Sequence, residues 1–310
     1  VRVYQWDIQS CVGMDGSYNP QRTAAQIAES DADVVTLQEV SRLCLRDRCN
    51  KQYSDARKKD DQALILAQLT GMEYFFASKT SEFGGEYGNC ILSRLPILRK
   101  EQHVFKSSAP DHHSNNLLSE PLLQVACAVL VSHAELGPIW VVSVQLGRDA
   151  SGKEQADEVE EVMTWLATLA LPGQPLVLAG DFNAAPFYSC HQLCDLHGLA
   201  DAWNTCLGNR RGLQRGLAVL LSAFQGATAM SDSPFQRLDY IYLRGLQAVD
   251  FQVIDTQSSD HLALSALLEK ATITLPATIF RRLQTGDTLE FDPLAPVSER
   301  MVEWSHGLDR

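Results

Sequence analysis

Two polar residues at the end of an apolar run are the strongest chemical feature of this sequence. The stretch Leu176-Val-Leu-Ala-Gly-Asp-Phe-Asn183 reads as a buried strand that ends in Asp181 and Asn183. Alternate residues of an extended chain project to the same side, so we expect these two side chains to reach the same space beyond the strand. A carboxylate accepts protons and an amide donates hydrogen bonds, which suits water activation and phosphate binding. The alternative is local, because Asp and Asn also serve as turn residues.

Other acidic residues occupy comparable positions at the edges of apolar strands. They are Asp7 in the first strand, Glu39 at the end of the second, Asp239 near the carboxyl-terminal part of the chain, and Asp260, which His261 follows. Carboxylates that converge on one edge repel one another unless a divalent cation neutralises them. Oxygen ligands favour a hard ion, Mg²⁺ or Mn²⁺, over zinc.

Five motifs in this order resemble the endonuclease/exonuclease/phosphatase superfamily. They are LQEV (37–40), GNCILSRLPI (88–97), GDFN (180–183), RLDYI (237–241) and SDH (259–261). The resemblance runs from Val1 to about Glu269, and the glycine-rich segment before Arg22 is similar to the small bacterial-type branch. It implies a divalent-metal-dependent hydrolase of phosphodiesters, or of phosphomonoesters. The substrate would be nucleic acid, a phospholipid headgroup or another phosphate ester.

The resemblance also implies how the metal and the attacking water are held. Glu39 would bind the Mg²⁺ or Mn²⁺ ion with help from Asp7 and Asp260. Asp181 would accept a proton from the water, while Asn183 would orient that water or bind the phosphate.

Three further positions take roles around the phosphate by the same resemblance. His261 would donate a hydrogen bond to a phosphate oxygen, and Asp239 would hold its ring in the required tautomer. Asn89, within the second motif, would contact the substrate.

The chain departs from the family pattern at positions that border the site. Asp7 stands where the family has asparagine, while Gln145 stands where it has histidine, and Gln9 replaces a histidine common in the bacterial-type branch. Asp7 can still ligate metal but adds negative charge beside an anionic substrate. Gln145 can donate a hydrogen bond to phosphate but cannot deliver a proton. Two hypotheses therefore stay open: a phosphodiesterase, whose activity these changes attenuate or retune, and a binding or scaffold module without turnover.

Strands that alternate with helices must position these residues. Asn19 and Pro20 predict a helix start, and further helices are predicted over Asp61–Leu69 and Gln155–Ala170. Consecutive apolar strands at 122–133 and 139–146 favour antiparallel pairing. We therefore predict an α/β fold of the α+β type, with two packed sheets and helices outside. The family resemblance implies that the sheets are mixed and form a four-layer sandwich.

Length and composition set the domain organisation. The sequence of 310 residues has no linker-like segment, so we expect one domain over 1–270. Residues 271–310 are expected to form an appended tail, which packs on this domain or contacts a protein partner. Because the chain begins at Val1 without methionine, we expect that it was trimmed or excised from a longer one.

Charge and sequence motifs restrict the function classes further. A net charge of −12 argues against strong non-specific nucleic-acid binding, which depends on Lys and Arg. No apolar stretch approaches the roughly 20 residues that a transmembrane helix needs. The sequence contains no Asn-x-Ser/Thr sequon, which favours an intracellular location.

Overall fold

The computed structural model describes residues 1–43, 60–80, 85–106, 124–171, 173–208, 228 and 236–271. The predicted tail lies outside these residues beyond Ala271, so its role remains a prediction. Among the helices in the described ranges, none is long and apolar enough to cross a membrane.

Strands dominate the described part of the chain. In chain order the elements are β1 (Arg2–Asp7), α1 (Pro20–Glu29), β2 (Val34–Arg42), α2 (Gln62–Thr70), β3 (Glu73–Thr80), β4 (Glu86–Ser93), β5 (Ile97–Val104), β6 (Val125–His133), β7 (Gly137–Gln145), α3 (Lys153–Leu169), β8 (Leu176–Asp181), α4 (Ser189–Leu196), β9 (Ala200–Asp201), α5 (Ala202–Gly208), β10 (Asp239–Arg244), β11 (Leu246–Ile254) and β12 (Ala263–Lys270). A short 3-10 turn at Gln9–Cys11 follows β1.

The strands form two mixed sheets of six strands each within the described residues. The first sheet has the order β11-β12-β1-β2-β4-β3, and the second has the order β5-β6-β7-β8-β10-β9. Each sheet contains one parallel pair, β1 with β2 and β7 with β8, and its other neighbours are antiparallel. The prediction of two packed mixed sheets is confirmed.

Helices cover the outer faces of both sheets and complete the four layers. Apolar side chains of α1 and α2 pack on the first sheet together with Trp6 and Leu37. Those of α3 and α4 pack on the second sheet around Trp140 and Phe182. A third cluster lies between the sheets and includes Ile91. The predicted sandwich with helices outside is therefore confirmed.

The helix boundaries follow from their local signals. Asn19 caps α1, because its side chain accepts a hydrogen bond of 2.9 Å from the backbone amide of Arg22. Helix α2 ends at Gly71, which has φ 68°, a left-handed conformation that glycine adopts at no steric cost. The third predicted helix begins two residues earlier than expected, at Lys153.

The layer between the two sheets changes character along the strands. Residues at every second position of β1 face this inter-sheet layer, where Val3 belongs to the apolar cluster and Gln5 hydrogen-bonds across it. Asp7 follows at the carboxyl end of the same face. One end of the inter-sheet layer is thus apolar, and the other is polar and then charged.

Candidate active site

The carboxyl ends of the parallel strands bring the site together. Asp7 ends β1, while Gln145 and Asp181 end β7 and β8 as direct neighbours in the sheet. Asp239 begins β10 opposite Asp181. The preceding glycine of the GDFN motif allows the close approach of β7 and β8, because a Cβ at Gly180 would lie 1.9 Å from the Val144 carbonyl oxygen.

Three of the predicted residues form a compact group that could hold a metal ion. Ligand atoms of Asp7, Asp181 and His261 all lie within 4.8 Å of one another. These side chains are buried, with Asp181 fully inaccessible. Its Oδ1 accepts a 2.8 Å hydrogen bond from the Asn183 backbone amide, whereas its Oδ2 is buried without a partner among the described residues.

Burial sets the charge state of these carboxyl groups. Burial raises the pKa of Asp181 to about 6, with the nearby Asp239 acting in the same direction and His261 against it. Burial and then the carboxylate of Glu39 raise the pKa of Asp7 well above its ordinary value. Such carboxylates are poorly solvated, so the site favours a proton or a cation beside them.

His261 and Asp239 are in direct contact. The imidazole Nδ1 lies 2.8 Å from Asp239 Oδ2, which leaves Nε2 as the nitrogen available to other groups. Burial lowers the pKa of His261, but the attraction of Asp239 outweighs this effect and raises the pKa well above its ordinary value. The Trp6 indole donates to the His261 carbonyl at 3.0 Å, which fastens this segment to β1. The imidazolium form is therefore favoured.

Glu39 reaches the site through an irregularity in β2. The pairing of β2 with β4 shifts between Leu37 and Val40, which is the register change of a β-bulge. Glu39 adopts φ 56° within it, a left-handed conformation that is rare outside glycine. Strict alternation would point Glu39 away from Gln38, whose side chain faces the inter-sheet layer and donates to Ser143. The bulge is what turns the carboxylate toward the site.

Gln145 connects the two sheets at the centre of the site. Its amide Nε2 donates to Asp7 Oδ2 and to Glu39 Oε1, both at 3.1 Å. Its Oε1 accepts a 2.7 Å hydrogen bond from Lys79 Nζ. The amide hydrogens that were expected to bind phosphate are directed to the two carboxylates in this arrangement.

The remaining predicted residues are Asn183, Asn89 and Asp260. Strand β8 ends at Asp181, and Asn183 has φ 46°, so the argument from an extended backbone does not apply to it. Its amide donates to the Leu146 carbonyl at 2.9 Å. Asn89 is fully buried and donates to the Val125 carbonyl at 2.7 Å, which ties β4 to β6. Burial raises the pKa of Asp260, which lies beside His261.

Sequence reasoning missed two cations beside the acids and one buried amide. Lys79 on β3 contacts Gln145, and Arg148 Nη2 lies 3.5 Å from Glu39 Oε1 with a side chain that is 63% exposed. Burial raises the pKa of Glu39, but Arg148, Lys79 and the Gln145 hydrogen bond together lower it below the ordinary value. The amide of Gln5 donates to Asp239 Oδ1 at 3.2 Å. The alternation of β1 provides a signal for Gln5, because it shares a face with Asp7.

The donor set fits a divalent metal ion. Asp7 and Asp181 are buried acids with pKa values that burial has raised, and the Oδ2 of Asp181 lacks a partner among the described residues. Carboxylate oxygens are the ligands that Mg²⁺ and Mn²⁺ prefer. A cation bound here would remove the unfavourable charge that burial creates.

Comparison with known proteins identifies a family for this sequence. The sequence model of the Endonuclease/Exonuclease/phosphatase family matches residues 4–261. No curated protein matches the sequence.

Solved structures share the fold at low sequence identity. An endonuclease/exonuclease/phosphatase from Beutenbergia cavernae is 21% identical with a TM-score of 0.63, over 87% of this chain and 72% of that chain. A mannosyl-6-phosphatase from Bacteroides thetaiotaomicron is 16% identical with a TM-score of 0.60, over 87% and 99%. The human nocturnin catalytic domain, with a bound sulfate anion, is 18% identical with a TM-score of 0.59, over 87% and 94%. The protein therefore belongs to the endonuclease/exonuclease/phosphatase family.

Proposed function

We propose that the protein is a divalent-metal-dependent hydrolase of phosphate esters that acts on phosphodiester bonds, with Mg²⁺ or Mn²⁺ as cofactor. The observation that carries this proposal is the buried group of Asp7, Asp181 and His261, with Asp239 hydrogen-bonded behind the histidine. Such an arrangement places an acid, a base and a cation site within one small volume.

Of the buried group, Asp7 is the proposed metal ligand, together with the carboxylates of Glu39 and Asp260, whereas Asp181 and His261 are assigned to the proton chemistry. A bound divalent ion would polarise the scissile phosphate and offset the charge that develops on its oxygens. Asp7 and Glu39 are already held together by the Gln145 amide, so two of the ligands are oriented before any ion binds.

The remaining residues supply the proton chemistry. Asp181 has a pKa of about 6, near neutrality, and an Oδ2 without a partner among the described residues, so it suits the role of a base toward water. The protonated His261 can donate from Nε2 to a phosphate oxygen, while Asp239 fixes the ring through Nδ1. Asn183 borders Asp181 and takes the role of orienting the water or the phosphate. The exposed guanidinium of Arg148 adds an anion-attracting group at the rim.

The charge of the chain favours a lipid-borne or soluble phosphate ester over a long nucleic acid. A net charge of −12 weakens contacts to many phosphates at once, which need Lys and Arg. One similar structure is that of a mannosyl-6-phosphatase, which agrees with a small substrate.

A second candidate function is a binding or scaffold module with little or no turnover. The observation that favours it is the engagement of Gln145, whose amide hydrogens are directed to Asp7 and Glu39 instead of an open phosphate site. A glutamine also cannot supply the proton that a histidine at this position would carry.

Hydrolysis of bis(p-nitrophenyl) phosphate, with p-nitrophenyl phosphate in parallel, separates these candidates. With Mn²⁺ or Mg²⁺ we expect turnover that EDTA removes and that Asp181→Asn lowers by at least about 100-fold, the range of a lost general base. Asp157→Asn, at an exposed position of α3, is the matched control and should retain parental turnover. If the parent hydrolyses neither ester with either metal, the binding module is the better account.

A further inference from the structure

Lys79 is an unusual lysine because it is almost completely buried. Its side chain lies on β3 of the first sheet and is 9% exposed. The ammonium donates to Gln145 Oε1 at 2.7 Å and to Gln124 Oε1 at 3.1 Å. Gln145 ends β7 of the second sheet, and Gln124 directly precedes β6 of the same sheet. It also lies 4.9 Å from the ring centroid of Tyr87. A lysine is seldom buried unless its charge is paired or hydrogen-bonded.

The ammonium determines which way the Gln145 amide points. An ammonium group has donors and no acceptor, so the Gln145 atom beside it must be the carbonyl oxygen. The Nε2 group then faces Asp7 Oδ2 and Glu39 Oε1, each at 3.1 Å. The two hydrogens of the Gln145 amide are donated to two carboxylates, so its nitrogen and its oxygen both have hydrogen-bond partners. Reversing the amide would place its oxygen against two carboxylates and its hydrogens against a cation.

Charge gives a second reason for Lys79 at this position. Asp7 is 1% exposed, and Glu39, Asp181 and Asp260 add further negative charge around it. A buried carboxylate is costly unless a counter-charge compensates it. Arg148 faces the same acids, but its side chain is 63% exposed and its guanidinium lies 3.5 Å from Glu39, where solvent screens it. His261 is a buried cation that acts on Asp7, whereas Lys79 is a buried cation one amide away from Glu39 and lowers the pKa of that carboxyl group.

We propose that Lys79 is a positioning residue: through Gln145 its ammonium fixes Asp7 and Glu39, and it compensates the charge of Glu39, so Lys79, Gln145, Asp7 and Glu39 form one charge-balanced unit. This unit contains the two departures from the family pattern that bear most directly on catalysis. Its link to catalysis rests on the proposed function, whereas the charge balance itself can be tested in the metal-free protein. Gln145 then acts as an oriented bridge between carboxylates rather than a weakened substitute for histidine.

A double-mutant cycle in EDTA tests this unit without any need for turnover. We expect Lys79→Met to lower the midpoint of thermal unfolding by about 5–10 °C, because it leaves buried carboxylates without their counter-charge. Glu39→Gln should restore at least half of that loss in the Lys79→Met background, whereas in the parent it should give no comparable gain, because Arg148 and Lys79 already compensate the Glu39 carboxylate there. The coupling between the two changes is the signature of a shared charge balance.

Matched variants keep the result interpretable. Lys100→Met, at an exposed position of β5, should show no coupling to Glu39→Gln. Lys79→Gln keeps hydrogen-bonding ability without the charge, and it should also be rescued by Glu39→Gln. If Lys79→Met does not fold, Glu39→Gln should restore folding. An equal effect of Glu39→Gln in both Lys79 backgrounds, to within about 2 °C, would overturn the proposal.

Kinetics separate this inference from the proposed function. If the parent hydrolyses bis(p-nitrophenyl) phosphate, Lys79→Met should lower kcat by about tenfold or more with KM within about twofold, because orientation is lost rather than substrate binding. If the parent is inactive but the thermal cycle shows coupling, the proposed function fails and the charge-balanced unit stands.

Discussion

The apolar and charged ends of the inter-sheet layer are built from the same strands but obey opposite energetics. Along β8, Val177 lies in the apolar cluster and Asp181 lies in the site four residues later. At the apolar end, burial stabilises the fold through the hydrophobic effect. At the charged end, burial raises the pKa values of Asp7 and Asp181, which shows that it opposes their ionisation. Along this strand, the burial of apolar side chains at one end offsets the free-energy cost of the buried carboxylates at the other.

The largest effect is expected at the apolar end. Ile91 is fully buried in the inter-sheet cluster, so Ile91→Ala should lower the free energy of unfolding by about 2–5 kcal/mol. Urea denaturation measures this loss, and hydrolysis per folded molecule should stay within about twofold. Leu98→Ala, at a side chain that is 52% exposed on β5, is the control and should change stability by less than about 0.5 kcal/mol. A loss of turnover well beyond twofold in folded Ile91→Ala would show that the apolar and charged ends are not separable.

A neutral substitution at the charged end should raise the free energy of unfolding instead of lowering it. Because the folded-state pKa of Asp181 is about 6 against an ordinary 3.8, its protonated form stabilises the metal-free fold below pH 4, and this contribution is lost as pH rises through 6. Asp181→Asn should therefore raise the free energy of unfolding in EDTA by about 2–3 kcal/mol at pH 8. The gain should shrink as pH falls from 6 toward 4. A gain independent of pH would mean that charge burial is not its cause.

The smallest effect is expected in the middle of the layer, at Gln5. Its amide donates to Asp239 Oδ1 and accepts a 2.6 Å hydrogen bond from the Thr36 hydroxyl. Gln5→Leu should cost about 1–2 kcal/mol, because it leaves buried polar atoms unpaired. Turnover should fall by no more than about tenfold as Asp239 loses one of its restraints. Thr36→Val removes the hydroxyl but leaves the hydrogen bond from Gln5 to Asp239 in place, so it should reduce stability with less effect on turnover than Gln5→Leu has. If both variants lower turnover equally, Gln5 does not help to hold Asp239.

The sequence supports the fold and the meeting point of the acids, but not their fine geometry. Apolar runs that end in Asp7 and Asp181 predict strands whose carboxyl ends carry charge, and the structure has both strands. The bulge at Glu39 depends on pairing with β4, which no local pattern encodes. Lys79 precedes a polar segment, so its sequence context is that of a solvated lysine. Its burial depends instead on the contact with Gln145 of β7 in the other sheet. Local sequence patterns thus indicate which residues meet, while cross-sheet contacts decide how.

The bulge in β2 makes this strand sensitive to its length as well as to its side chains. Leu37 and Val40 are three residues apart, yet both pack in the cluster beneath the helices, because the bulge reverses the alternation between them. Deleting Glu39 would restore a regular strand in which Leu37 and Val40 still lie on the helix side and keep their pairing with β4. The helix-side core would therefore be kept, whereas the site would lose this carboxylate. A relative whose alignment opens a one-residue gap within residues 37–40 should keep the fold and lack the acid.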